Sequence, residues 1–130
     1  MKTILFACVH NAGRSQMAAA FFNALVDSSQ ARAISAGTKP GDKIHPEVIQ
    51  AMKEVGIDLS TVKPQLLTDD LARSVQLLIT MGCGEACPFI PGLQREDWSL
   101  DDPKGQSLEK IRTIRDEICS RVKGLIIREK

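Results

Sequence analysis

The chain has 130 residues with 43% hydrophobic and 25% charged side chains, an ordinary balance for a soluble globular protein. Seventeen Lys and Arg against sixteen Asp and Glu leave a net charge of +1, so no overall field favours nucleic acid or a membrane surface, and any positive potential must be local. No apolar run approaches the roughly 18 residues that cross a bilayer, and Met1-Lys2 leads into a strand-like segment rather than a signal peptide, so the expectation is a single cytoplasmic domain over residues 1–130.

Residues 3–7 form a continuous apolar run, the pattern of a strand covered on both faces in a parallel sheet. From Ser15 onward Met17, Phe21, Ala24 and Leu25 recur at helical spacing, fading at Asp27-Ser28-Ser29. Residues 31–36 read as a second strand ending at Gly37, followed by a loop over 38–42. Pro46 suits the first position of a helix that turns Val48, Ile49, Met52 and Val55 inward and stops at Gly56. Residues 58–67 fit no regular element, and Pro64 argues against one. Thr68 before Asp69-Asp70 has the look of a cap on a short helix, and residues 75–80 of a second strongly apolar strand. Residues 82–88 read as a loop or partly helical turn, 95–99 as a brief strand and 101–105 as a turn by composition. A final helix over about 107–127 buries Leu108, Ile111, Ile114, Ile118, Val122 and Leu125.

Strands alternating with helices predict an α/β fold, a three-layer sandwich around a four-stranded, mostly parallel sheet with right-handed crossovers. Ligands of such sheets bind beyond the carboxyl ends of the strands. The loops at Cys8 and Cys83 and the turn at Asp102 all follow predicted strands, so the topology brings them to one edge.

The first of these loops carries the chemistry. Cys8-Val9-His10-Asn11-Ala12-Gly13-Arg14-Ser15 sets a thiol, five intervening residues and an arginine between a strand and a helix N-terminus. The amides of a tight loop and the positive end of a helix surround oxyanion oxygens, and Arg14 adds a planar, permanently charged fork. The same field favours the thiolate, the competent nucleophilic form of Cys8. Gly13 frees the backbone to turn its amides inward, and Ser15 either donates to the Cys8 sulfur or caps the helix.

Cys8-x5-Arg14-Ser15, with Asp102-Pro103 far downstream, resembles the low-molecular-weight protein tyrosine phosphatase fold, and within it the arsenate reductase branch. Arg14-Ser15-Gln16-Met17-Ala18, Ser35-Ala36-Gly37, Glu54-Val55-Gly56-Ile57-Asp58, the pair Cys83 and Cys87, and Trp98 shortly before Asp101-Asp102-Pro103 carry the same likeness over essentially the whole chain. The resemblance implies reduction of arsenate to arsenite in arsenic detoxification, with no cofactor. In that scheme Cys8 attacks arsenic, Arg14 and the loop amides hold the oxygens, and Asp102 protonates the departing hydroxyl. Cys83 then attacks the Cys8 sulfur, and Cys87 resolves the bond to leave Cys83–Cys87 for thioredoxin. The short Cys83-to-Cys87 spacing is similar to actinobacterial-type members, some described as using a small thiol such as mycothiol, so a glutaredoxin-like or small-thiol reductant stands beside thioredoxin. Ala19 and Gln65 fall where other members place acidic side chains around a potassium ion, so no metal is expected, while Asn11 and Ser35 brace the loop. Phosphate and sulfate are the expected arsenate analogues.

Other residues read more plainly. Two thiols with only His10 and His45 make a poor zinc set. Cys119 and Trp98 read as packing, His10 as solvated and His45 as a turn residue. Three rival functions use the same residues. A phosphatase would pass a phosphocysteine to water, although the chain contains no Tyr, which phosphatases of this fold usually carry after Asp-Pro. An arsenate-thiol transferase would replace the internal relay with an external thiol. A phosphocysteine carrier is disfavoured by Arg14, whose charge helps the phosphoryl group move on.

Overall fold

The computed structural model describes residues 2–82, 87 and 89–129. Strands β1 (Lys2–Cys8), β2 (Ala31–Gly37), β3 (Leu77–Thr80) and β4 (Gln94–Asp97) form one sheet of order β2-β1-β3-β4 in which every pair is parallel. Helices α1 (Arg14–Leu25), α2 (Pro46–Lys53), α3 (Asp69–Arg73) and α4 (Leu108–Arg128) complete the layers. No helix among the described residues is long and apolar enough to cross a membrane.

Strand side chains alternate between faces, and β1 divides the core accordingly. Ile4, Phe6 and Cys8 join a cluster with Met17 and Phe22 of α1, Val48 and Met52 of α2, and Ile111, Ile114, Ile118 and Val122 of α4. Leu5 and Ala7 face the other way, against Ala72 beside Leu67, Leu78 and Cys87. Burial on both faces is why β1 and β3 read as unbroken apolar runs.

The helix starts follow local chemistry. Pro46 opens α2, where its missing N–H costs nothing. The Thr68 and Ser107 hydroxyls accept from the N–H groups of Leu71 and Lys110 at 3.1 and 3.2 Å. Helix α2 ends at Lys53, before the turn at Gly56, whose φ of +84° suits glycine. Val55 therefore stands outside the helix and is 44% exposed, contrary to the inward placement its spacing implied. Leu25, in the last turn of α1, is likewise 46% exposed, and the final strand spans 94–97 rather than 95–99.

In the order β2-β1-β3-β4 the chain leaves β1 in one direction toward β2 and returns across it to β3, which makes the carboxyl end of β1 the switch point where open parallel sheets hold ligands. The register pairs Cys8 with Gly37 and Ala7 with Thr80, so the ends of three strands lie level beneath that crevice.

Helices α2 and α4 are clamped at the surface by Glu54. It accepts from Arg112 Nε at 2.9 Å, Arg112 Nη2 at 2.6 Å and Arg115 Nη1 at 3.0 Å, while Arg115 Nη1 also reaches the Ala51 carbonyl at 2.8 Å. The hydrogen bonds from Arg112, with Arg115 adding to them, pull the Glu54 carboxyl down to about 2 from an ordinary 4.5. A carboxylate depressed in the folded state stabilises above its unfolded value and loses that contribution as pH falls through the folded one. The melting temperature is therefore expected to carry a component that declines between pH 4.5 and about 2 and is missing in Glu54→Gln. Parallel melting curves for the two proteins across that window would show that the clamp contributes nothing.

Candidate active site

The segment 8–13 turns with its carbonyls outward. The carbonyls of Cys8, Val9, His10 and Ala12 accept from the N–H groups of Thr38, Lys39, Gly41 and His45, all in the loop between β2 and α2, at 2.8–3.2 Å. The Asn11 carbonyl accepts from Gln16 Nε2 at 3.1 Å, and the Gly13 carbonyl from the Met17 N–H at 3.0 Å. In a planar trans peptide the C=O of one residue and the N–H of the next point in opposite directions. Outward carbonyls on residues 8–13 thus turn the N–H groups of 9–14 to the inner side, and no cis bond interrupts the run. A ring of amides opening on a helix N-terminus is a cradle for a tetrahedral oxyanion.

Cys8 stands at one end of the cradle, 3% exposed. Its Sγ lies 2.8 Å from Ser15 Oγ, and Asn11 Nδ2 donates to that same oxygen at 2.7 Å. Ser15 has a single hydroxyl proton; with its oxygen accepting from Asn11, the proton is available to the sulfur. Ser15 makes no capping bond, and Gly13 occupies the cap position without one. Asn11 adopts φ of +51°, a left-handed conformation that asparagine tolerates better than most residues.

Arg14 begins α1 and is almost wholly buried. Its Nη1 donates to the Leu100 carbonyl at 3.2 Å, and its Nη2 lies 3.8 Å from Asp102 Oδ2. The Asp102 side chain is 50% exposed, and its Oδ1 accepts from the Lys104 N–H at 3.0 Å, which pins the carboxylate to its turn. Asp101 is turned away, paired with Lys110 at 2.8 Å, and that hydrogen bond holds its carboxyl below the usual range. Pro103 packs against the loop so closely that a Cβ on Gly13 would meet its ring at 2.7 Å. Gly82, with φ of +104°, lies under the guanidinium, where a Cβ would meet Arg14 Nη1 at 2.5 Å.

The structure therefore brings Cys8, Asn11, Ser15, Arg14 and Asp102 around one loop. Val9 and His10 are partly exposed, and Ala12 is buried. Ser35 supplies its carbonyl, which accepts from Gln65 Nε2 at 2.7 Å, so the contact there runs through the main chain. Cys83 lies outside the described residues. Cys87 is 3% exposed in the second core cluster and disulfide-bonded, whereas Cys8 and Cys119 are free. Sequence reasoning missed Gln16, Gly82 and the Leu100 carbonyl. The one local signal was Gln16, an amide on the inward side of the first turn of α1.

The model of the low molecular weight phosphotyrosine protein phosphatase family matches residues 3–130. A Halobacterium salinarum protein provisionally named arsenate reductase is 41% identical over 126 residues, covering 92% of this chain and 87% of its own. The glutaredoxin arsenate reductase of Synechocystis is 37% identical over 129 residues, 97% of each chain. Among solved structures, a Corynebacterium glutamicum thioredoxin-dependent arsenate reductase superposes with a TM-score of 0.85 at 40% identity. That match takes in all of this chain, which spans 64% of the Corynebacterium one.

The contact beneath Arg14 makes one expectation. Gly82→Ala combines backbone strain of about 1–2 kcal/mol with a collision against the guanidinium, so phosphate affinity measured calorimetrically should fall at least about tenfold alongside the melting temperature. A variant that melts earlier yet binds phosphate normally would mean that Gly82 serves only its own backbone.

Proposed function

We propose that this chain, which belongs to the low molecular weight phosphotyrosine protein phosphatase family, works as an arsenate reductase whose nucleophile is Cys8. The observation that carries the reading is the placement of the Cys8 sulfur, hydrogen-bonded to Ser15, at the mouth of a loop whose carbonyls are all held outward. A sulfur nucleophile beside amides and a guanidinium selects a tetrahedral oxyanion with an electrophilic centre.

In the first step the Cys8 thiolate attacks arsenic, the sulfur–arsenic bond forms, and one arsenic–oxygen bond breaks. Asp102 gives its proton to the departing oxygen, which leaves as water. Its half-exposed carboxyl near Arg14 Nη2 supports that assignment over Asp101, which is engaged by Lys110. In the second step the Cys83 thiolate attacks the Cys8 sulfur. A Cys8–Cys83 disulfide forms, the sulfur–arsenic pair of electrons stays on arsenic, and arsenite departs as As(III). Cys87 then attacks Cys83, regenerating the Cys8 thiolate and leaving a Cys83–Cys87 disulfide for an external dithiol to reduce by two electrons. The disulfide-bonded state of Cys87, with Cys8 and Cys119 free, supports its use as a redox residue.

The reductant belongs to the thioredoxin, glutaredoxin or small-thiol class, and the need for a free Cys8 points to a reducing compartment such as the cytoplasm. Phosphate and sulfate are the anions expected to compete with arsenate.

Arsenate-dependent reductant consumption tests the scheme. Cys8→Ser and Arg14→Ala should lose at least about a thousandfold in turnover, a typical scale for removing a nucleophile or transition-state donor. Cys83→Ser should fail with thioredoxin, and full turnover of that variant with a small thiol would replace the internal relay by transfer to an external one. Brisk hydrolysis of an aryl phosphate by a wild-type protein that consumes no reductant would make the phosphatase reading correct instead.

A further inference from the structure

We infer that Gln16 is a positioning residue for the nucleophile: it fixes the orientation of the Asn11 amide so that the Ser15 hydroxyl proton is delivered to the Cys8 sulfur. The inference rests on the role of Cys8 proposed above and adds a residue that does not touch the sulfur.

An asparagine side chain has an oxygen that only accepts and a nitrogen that only donates, and which of them faces a neighbour is decided by the surrounding network. Asn11 is fully buried, so both ends need partners. Its Oδ1 accepts twice, from Gln16 Nε2 at 2.9 Å and from the Gln65 main-chain N–H at 2.9 Å. Those two donors commit the oxygen, and the nitrogen is left to donate to Ser15 Oγ at 2.7 Å. A hydroxyl that accepts on one side sends its own proton to the other, where Cys8 Sγ stands at 2.8 Å. Were the amide reversed, its oxygen would take the Ser15 proton and the sulfur would lose that donor. Gln16 Nε2 also bonds the Asn11 carbonyl at 3.1 Å, so a single buried amide holds both the side chain and the main chain of a residue in the left-handed region.

Gln65 donates to the same oxygen through its backbone, a contact no side-chain substitution removes, so Gln16 supplies the side-chain half of the pair that holds the amide. Gln16 is 4% exposed in the first turn of α1, one residue after Ser15, and the rest of the charged and titratable surroundings do not depend on it. Those are Arg14 on α1, Asp102 in the turn after β4, His10 in the Cys8 loop, and Lys39, Asp42, Lys43 and His45 in the segment between β2 and α2. All are retained when Gln16 is replaced by methionine, which has similar volume and no donor.

The absence of tyrosine from the chain makes the experiment clean, since thiolate absorbance in the ultraviolet is then free of phenolate. The Cys8 titration is read as the part of that absorbance lost in Cys8→Ser, with the full chain under reducing conditions. Gln16→Met should raise the midpoint by about one unit, a tenfold tighter binding of the proton to the sulfur. In a Ser15→Ala background, where no hydroxyl remains to be aimed, the same substitution should leave the midpoint in place. No rise in the first comparison, or an equal further rise in the second, overturns the inference. Wild-type protein gives an independent reading that no folding defect can obscure: the Gln16 and Asn11 side-chain amide resonances should shift through the Cys8 midpoint, and resonances indifferent to it overturn the inference as well. A Cys8→Ser protein that still reduces arsenate would remove the functional reading without touching the titration result.

Discussion

The site depends on one constraint, the outward engagement of every carbonyl in the 8–13 turn. A six-residue stretch with its carbonyls unclaimed would mix peptide orientations, and an anion would meet oxygens as well as amides. Here the segment between β2 and α2 supplies four donors, Gln16 a fifth and Met17 a sixth. The sheet makes this possible, because β2 runs beside β1 with Gly37 opposite Cys8 and delivers the following residues along the loop. The approach is so close that a Cβ on Gly37 would meet the Val9 carbonyl at 2.6 Å and the Asn11 nitrogen at 2.9 Å, which only glycine avoids. A chain of net charge +1 can thereby build a strong local positive field out of peptide dipoles and one arginine.

The same loop end is held from the opposite side by aromatic and charged packing. The Phe6 and Trp98 rings lie 5.7 Å apart, Trp98 Nε1 donates to Glu96 at 3.0 Å, and Arg121 of α4 stands 5.9 Å over the Trp98 ring. The Trp98 N–H also bonds the Thr80 carbonyl at 2.8 Å. These contacts fix the chain leaving β4, and two residues later the Leu100 carbonyl receives Arg14. A core aromatic therefore sets where a site guanidinium points, with Asp102 and Pro103 carried along in the same turn.

Much of this was legible in the residues alone. The apolar runs, Pro46, Thr68 and the inward stripe of α4 report local preferences, and Cys8 to Arg14 is a compact signal whose meaning is set by the strand before it and the helix after it. The Asp102 turn was reached by topology and by resemblance. What stayed hidden depends on contacts distant in sequence. Nothing near Gly82 announces a guanidinium lying above it, and residues 58–67, which suggested no element, contribute the Gln65 N–H to Asn11 across 54 positions. Val55 and Leu25 mislead for a simpler reason: an apolar period continues past the point where the helix or its neighbour ends. The Ser35 carbonyl, rather than its hydroxyl, meets Gln65 because a strand residue offers its main chain to whatever lies along the sheet edge.

One loop serving hydrolysis in some members of a family and reduction in others follows from where the second nucleophile strikes. Once a nucleophile in the proposed place of Cys8 has displaced an oxygen, water arriving at the central atom gives hydrolysis and leaves oxidation states unchanged. A thiolate arriving at the Cys8 sulfur instead forces the sulfur–arsenic electron pair onto arsenic. Arsenic accepts that pair readily in going from the pentavalent to the trivalent state, and phosphorus does not, so a cradle that suits both oxyanions can support reduction of only one. The decisive addition is thus a second thiol able to reach the sulfur, together with a means of keeping water from reaching arsenic first. Cys8 is sequestered from solvent, and Cys87 is packed among Leu5, Ala7, Leu67 and Leu78 on the opposite face of β1. Cys8 and Cys87 thus belong to the two core clusters on either side of β1, and the proposed relay through Cys83 is the step that has to join them. A third cysteine in the proposed scheme accordingly answers a separation of the first and last that the fold itself imposes.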